Sequence, residues 1–124
     1  MAGGFAHITF VDVLCKDGDA LDNIRGLIPS MKRALALNLN YVELGAVSPD
    51  YPYLCLFDDN AAGWANVMHY WKTLEPVRRA IPIVHAMDFR SVEAAKCLAW
   101  LFGYMAHVVT ASGGVTSSLF TIRR

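Results

Sequence analysis

The segment from Cys97 to Ile122 constrains the fold most, because it contains no Asp, Glu, Lys or Arg. Its strongly apolar part covers about fifteen residues, whereas a helix needs roughly twenty to cross a bilayer. His107 and Thr110 further reduce its apolar character. We therefore predict a buried helix, not a transmembrane span, which begins near Ser91 as the N-cap and ends near Thr110.

The remaining patterns also favour helices, so the predicted fold class is all-α. The prolines at positions 49 and 52 are expected to end a helix, because proline disfavours helical geometry in the residue before it. Strand-like alternation is confined to Ile8–Val13, a stretch that fits a buried helix equally well. Apart from the segment at Ser91, helices are expected over about residues 20–28, 29–46, 60–71 and 76–80.

The charge balance restricts the partners of this chain. Eleven basic and eleven acidic residues give a formal net charge of zero. A protein that neutralises many phosphates needs a basic excess, so nucleic acid is not expected as a partner. Hydrophobic residues make up 55% of the chain and charged residues 18%. This composition excludes intrinsic disorder and predicts an apolar surface that supports self-association.

The N-terminus and the cysteines indicate a cytoplasmic location. The first residues lack a basic region, and His7 and Asp12 interrupt the apolar run that a secretory signal needs. Cys15, Cys55 and Cys97 are odd in number and widely spaced, so neither a disulfide framework nor a thiolate zinc site is encoded. We predict three buried thiols in a reducing compartment.

Asp50 is the carboxylate whose sequence context is most suggestive of a site. It follows Pro49 directly after a predicted helix end, so its backbone is held in a stiff corner. A stiff corner suits a metal ligand, because ordering a flexible ligand costs free energy. The alternative interpretation is an Asx turn, in which Asp50 accepts hydrogen bonds from the amides that follow it.

Two histidines on predicted helices are further candidates. His69 has aromatic neighbours that either form a dry wall around a ligand or are simply core. His107 shares a helix face with Gly103, where another helix or a ligand can approach closely. One turn later on that face, the position for a second ligand is Ala111, which coordinates nothing.

Four sequence features in this order resemble the zinc-dependent phospholipase C family (the phospholipase C/D domain). They are an early His7, the Gly-x-x-Ser-Pro-Asp corner at residues 45–50, the pair His69-Tyr70, and the Gly-Tyr-x-x-His segment at residues 103–107. The resemblance covers roughly residues 5 to 110. It implies an all-helical fold and a cluster of zinc ions that activates water against a phosphodiester.

The resemblance also implies particular ligands and a substrate class. Carried over, Asp50, His69 and His107 are ligands of one Zn²⁺, and His7 is a ligand of a neighbouring one. Imidazole and carboxylate groups suit zinc chemically. The implied substrate is a phospholipid or another phosphodiester. Related zinc clusters also hydrolyse nucleic acids, but the absence of a basic excess argues against a nuclease here.

The chain departs from the family pattern after His107. The family has a bridging aspartate where this chain has Ala111, and further histidines that this sequence lacks. The resemblance therefore implies a partial domain at residues 1–110, followed by a divergent, poorly ordered tail at 111–124 that reflects truncation or a frameshift. Such a domain lacks part of the metal cluster, and its activity is in question. The alternative is a non-catalytic helical fragment that acts through apolar self-association or partner binding.

Overall fold

The computed structural model describes residues 4–111, except for the side chains of residues 18 and 19. Every regular element in this part of the chain is helical, which confirms the all-α prediction. The α-helices are α1 (Gly4–Lys16), α2 (Gly18–Asp22), α3 (Pro29–Leu37), α4 (Leu39–Val47), α5 (Asp59–Asn66), α6 (Glu75–Ala86) and α7 (Val92–Ala111). The predicted tail at 111–124 lies outside the described residues, except for Ala111, which is the last residue of α7.

Two short segments of other helical types complete the fold. A 3₁₀ segment (Ser48–Leu54) continues directly from α4, and a π turn (Val67–Trp71) continues directly from α5. Pro49 and Pro52 end the α-helical geometry as predicted, but the chain then tightens into the 3₁₀ segment instead of opening into a loop. Ile8–Val13 lies within α1, so its helical alternative is the right one.

Local signals set the starts of several helices; those of α3 and α7 are where the sequence places them, whereas α5 begins slightly earlier than expected. Pro29 is the first residue of α3, where its missing N–H leaves no hydrogen bond unmade. The carboxylate of Asp58 caps α5 by accepting a hydrogen bond of 2.9 Å from the amide of Asn60. The hydroxyl of Ser91 accepts one of 3.1 Å from the amide of Ala94, which confirms it as the cap of α7.

Three predicted helices have different bounds in the structure. The helix expected over 29–46 is broken at Asn38, whose side-chain amide donates 2.9 Å to the carbonyl of Ala34 and competes with the backbone ladder. The helix expected to reach Ile28 ends at Asp22, and the chain then turns through Gly26 with a positive φ of 87°. The short piece expected near 76–80 extends to Ala86, with Pro82 inside it.

The buried-thiol prediction is wrong for two of the three cysteines. Cys15 is buried in the core, whereas Cys55 and Cys97 are exposed. Cys55 follows the 3₁₀ segment in a connecting loop, and Cys97 lies on the outer face of α7. Burial raises the pKa of the Cys15 thiol to about 11, so this side chain is a neutral core residue.

The contact between α4 and α7 is the most extensive in the fold. A Cβ atom on Gly45 would lie 2.0 Å from the carbonyl oxygen of Trp100, and one on Gly103 would lie 1.9 Å from that of Val42. The two helix backbones therefore touch at both glycines, and neither position has room for a side chain. The close approach predicted at Gly103 is made by another helix.

α7 packs one side into the core. By length and composition, it is the single helix in residues 4–111 that is apolar enough to span a membrane. Seven of its residues are buried, including Ala99, Tyr104 and Ala106. The most apolar window of α7 is 39% buried, so the predicted core helix buries one face and leaves the other more open.

Gly103→Ala tests the contact between α4 and α7. The added methyl group must displace backbone atoms, so we expect the free energy of unfolding to fall by at least about 2 kcal/mol. Urea denaturation followed by circular dichroism measures this change.

Gly63→Ala is the matched control, because Gly63 lies within α5 and its Cβ would meet nothing within 4 Å. That variant should be more stable than the wild type by about 0.5–1 kcal/mol, since alanine favours the helix. Equal effects of the two substitutions would contradict the proposed packing.

Candidate metal centre

The structure brings together the four residues singled out in the sequence, and each comes from a different element. His7 lies on α1, Asp50 on the 3₁₀ segment, His69 on the π turn and His107 on α7. The Nε2 atom of His69 lies 3.0 Å from Asp50 Oδ1 and 3.0 Å from His107 Nε2. His107 Nε2 in turn lies 3.9 Å from Asp50 Oδ1.

Asp50 is held in place by the two residues before it. The Ser48 hydroxyl donates to the carbonyl of Leu44 at 2.6 Å and accepts from the Trp100 indole N–H at 3.0 Å. Pro49 is fully buried. These contacts fix the corner against both α4 and α7.

The carboxylate of Asp50 faces the histidines. Its side chain is 22% exposed, and its polar contacts in the described residues are to His69 and His107. None of them goes to a following amide, so the Asx-turn interpretation is not supported by this geometry. The carboxylate is therefore available to a group bound beside the two imidazoles.

His69 reaches the cluster from the π turn. Its Nδ1 atom lies 2.7 Å from the carbonyl oxygen of Ala65, one turn earlier, and its side chain is only 3% exposed. A carbonyl oxygen only accepts hydrogen bonds, so Nδ1 carries the proton and donates. Nε2 faces Asp50 Oδ1 at 3.0 Å, and a carboxylate oxygen likewise only accepts, so this contact needs a second proton or a cation between the two atoms.

The Nδ1 atom of His107 also carries a proton, because it too faces a backbone carbonyl. Its Nδ1 atom donates 2.6 Å to the carbonyl oxygen of Ala46 on α4, across the close helix contact. Burial lowers the pKa of His107 below its ordinary value of 6.5, because a buried imidazole disfavours the charged form. His107 is therefore neutral at pH 7, and its Nε2 keeps a lone pair.

His7 completes the group from α1. It is 1% exposed, and its ring lies over that of His107, with 4.0 Å between the ring centroids. The Thr110 hydroxyl donates 2.9 Å to the carbonyl of Ala106, so it accepts the hydrogen bond of 2.7 Å that it shares with His7 Nδ1. His7, Asp50 and His107 each have one potential ligand atom that lies within 4.8 Å of the corresponding atoms of the other two residues.

The chemistry of these atoms fits a metal ion. Two imidazole nitrogens and a carboxylate oxygen converge, and the Nδ1 proton of each imidazole is already donated to a backbone carbonyl. Such a set of acceptors is unfavourable until a cation or an extra proton is placed between them. Ligand atoms about 2.0–2.1 Å from a tetrahedral zinc lie about 3.3 Å apart. The observed separations of 3.0 and 3.9 Å lie on either side of that value.

Several groups that orient the candidate ligands could not be identified from the sequence. The carbonyls of Ala46 and Ala65 orient two of the imidazoles, and the Thr110 hydroxyl orients the third. Carbonyl partners leave no mark in a sequence, because every residue has one. Thr110 had a weak signal, since it lies three residues after His107 and therefore near its helix face.

Ala111 lies at the end of α7, one turn after His107, and is exposed. Its side chain offers no ligand atom to the cluster. The described residues therefore bring three imidazoles and one carboxylate to this place.

Comparison with known protein families decides the relationship. The family model described as zinc dependent phospholipase C matches residues 6–110, which is most of the chain. The chain belongs to this family. The match confirms the resemblance noted in the sequence, and it ends three residues after His107. No curated protein and no solved structure matches.

Zinc binding by this cluster can be measured directly. We expect the metal-free protein to gain thermal stability when Zn²⁺ is added, because a metal that binds only the native state stabilises it. Asp50→Asn should weaken zinc affinity by about tenfold or more, and His107→Ala should abolish the stabilisation. Isothermal titration calorimetry and thermal denaturation provide the two readouts.

His85→Ala serves as the control, because His85 is exposed in the last turn of α6 and lies outside the cluster. This variant should bind zinc as the wild type does. If Zn²⁺ stabilised the Asp50→Asn and His107→Ala variants as strongly as the wild type, the cluster would not be the metal site.

Proposed function

We propose that this protein is a zinc-dependent phospholipase C-like hydrolase that acts on a phosphodiester, with a phospholipid as the substrate class. The observation that carries the proposal is the convergence of His69 Nε2, His107 Nε2 and Asp50 Oδ1. Membership in the zinc dependent phospholipase C family supports the same chemistry.

Asp50, His69 and His107 hold one zinc in this proposal, and His7 contributes to a neighbouring ion. Zinc at such a site supplies Lewis-acid polarisation of a phosphoryl oxygen and lowers the pKa of water to about 7. With one carboxylate and neutral imidazoles as ligands, the loaded site keeps a net positive charge. That charge favours binding of an anionic phosphodiester.

The residues of the chain hold the ligands in place before substrate arrives. The carbonyls of Ala46 and Ala65 keep a proton on each Nδ1, so the Nε2 lone pairs stay directed at the site. His7 and His107 are buried and exclude water from one side. Asp50 is partly exposed and marks the side from which substrate enters.

A non-catalytic role through apolar association is the second candidate. The missing carboxylate at position 111 and the exposed large side chains, such as Phe57 and Trp71, favour it. Under this alternative the cluster has a structural purpose at most. Turnover of a phosphodiester separates the two candidates.

Hydrolysis of a water-soluble chromogenic phosphodiester, p-nitrophenyl phosphorylcholine, tests the proposal. We expect turnover with Zn²⁺, loss of turnover with a chelator, and recovery when zinc is added back. His69→Ala should lower kcat/KM by at least about a hundredfold, because it removes a ligand and the contact that orients Asp50. His85→Ala should retain full activity. A zinc-loaded wild type without turnover would favour the non-catalytic role.

A further inference from the structure

The residues next to two of the candidate ligands are exposed aromatics. Tyr51 follows Asp50 and is 49% exposed. Tyr70 and Trp71 follow His69 and are 65% and 82% exposed. The same short segments that turn Asp50 and His69 inward therefore turn aromatic rings outward, so the cluster opens beside an apolar surface.

This surface continues along the neighbouring chain. We call it the aromatic rim and define it by exposed side chains between residues 51 and 71, namely Tyr51, Leu54, Leu56, Phe57, Trp64, Tyr70 and Trp71. Phe57 is as exposed as a side chain can be, at 102%. A groove of about 560 Å³ lies within the rim, between the 3₁₀ segment and α5. Tyr51, Leu54 and Trp64 of the rim line this groove, and monomeric proteins rarely leave large apolar patches uncovered.

The rim is physically joined to the metal centre. The 3₁₀ segment packs on α5, and α5 runs directly into the π turn that carries His69. The Tyr53 hydroxyl is hydrogen-bonded to Asn66 Oδ1 at 2.7 Å, which ties the segments together. The Tyr53 ring lies 5.4 Å from that of His69. A partner or a membrane bound to the rim therefore lies next to the cluster of His7, Asp50, His69 and His107.

The charges of this region select among possible occupants. Residues 48–71 contain no Lys or Arg, and their charged side chains are the carboxylates of Asp50, Asp58 and Asp59. An acidic membrane surface or a nucleic acid would be repelled here. Zwitterionic headgroups carry an ammonium group that complements exposed carboxylates, and Asp58 and Asp59 are both exposed.

We propose that the aromatic rim docks on a lipid bilayer with zwitterionic headgroups. Tyrosine and tryptophan prefer the membrane–water interface, because they combine an apolar ring with a polar tip. The orientation of the bound protein, with the metal centre facing the headgroups, rests on the proposed function. The proposal that the rim is a docking surface rests only on the exposure and the charge of its residues.

A second copy of the chain fits the rim less well. A partner protein seated there would cover the exposed side of Asp50, which is the approach to the cluster. A bilayer instead presents phosphodiesters at that position. Self-association through the rim is therefore an outcome that the test must be able to reveal.

Phe57→Asp and Phe89→Asp form a matched pair for the test. Both phenylalanines are largely exposed, at 102% and 77%, but Phe89 lies in the connection between α6 and α7, outside the rim. Because neither side chain is buried, both variants should fold. Co-sedimentation with phosphatidylcholine vesicles, in the presence of a chelator, measures docking without turnover.

We expect the wild type and Phe89→Asp to bind these vesicles equally, and Phe57→Asp to bind at least about fivefold more weakly. Replacing a third of the phosphatidylcholine by phosphatidylserine should not strengthen binding. Absence of binding by the wild type, equal losses in the two variants, or a requirement for phosphatidylserine would overturn the proposal. So would a dimer, detected by analytical ultracentrifugation, that Phe57→Asp dissociates.

This design separates the docking surface from the hydrolytic activity. If zinc-loaded protein binds vesicles but leaves p-nitrophenyl phosphorylcholine intact, the proposed function fails and the docking surface stands. If the soluble substrate is hydrolysed but vesicles are not bound, the hydrolase stands and the docking surface fails.

Discussion

The backbone contact between α4 and α7 is the constraint on which the site depends. Gly45 and Gly103 let each helix touch the main chain of the other, at distances that any side chain would prevent. This approach places the carbonyl of Ala46 within 2.6 Å of His107 Nδ1. It also brings Trp100 to Ser48, which fixes the corner that carries Asp50. Packing of two helices thus sets the position and the tautomer of the site residues.

The Gly-x-x-Ser-Pro-Asp corner has a physical role at each defined position. Gly45 makes room for α7, and Ser48 links the end of α4 to Trp100. Pro49 is buried and is the second residue of the tighter 3₁₀ segment, in which Asp50 faces the histidines. The motif is therefore a docking element for α7 as much as a source of one carboxylate.

The metal centre and the aromatic rim arise from the same irregular segments. A regular α-helix through residues 59–71 would present His69 on a different face, because the π turn adds a residue to the local hydrogen-bonded ring. The turn directs His69 inward, while Tyr70 and Trp71 stay exposed. One local departure from α-helical geometry thus accounts both for a buried imidazole and for the apolar surface beside it.

The sequence by itself determined the helical class, the starts of helices at Pro29 and Ser91, and the residues that stand out chemically. These features follow from local capping, proline geometry and side-chain chemistry, which neighbouring residues fix. Family membership was readable because its motifs lie in order along the chain. The break at Asn38 and the π turn at His69 were not readable, since each depends on competition between local hydrogen bonds and packing.

Only the tertiary structure decided that His7, Asp50, His69 and His107 meet. Their side chains come from elements far apart in the chain, and no local pattern encodes a distance between them. The tautomers of the imidazoles were also decided there, by the carbonyls of Ala46 and Ala65 and the hydroxyl of Thr110. A sequence names the candidate ligands, whereas the packing of helices brings their side chains to one place.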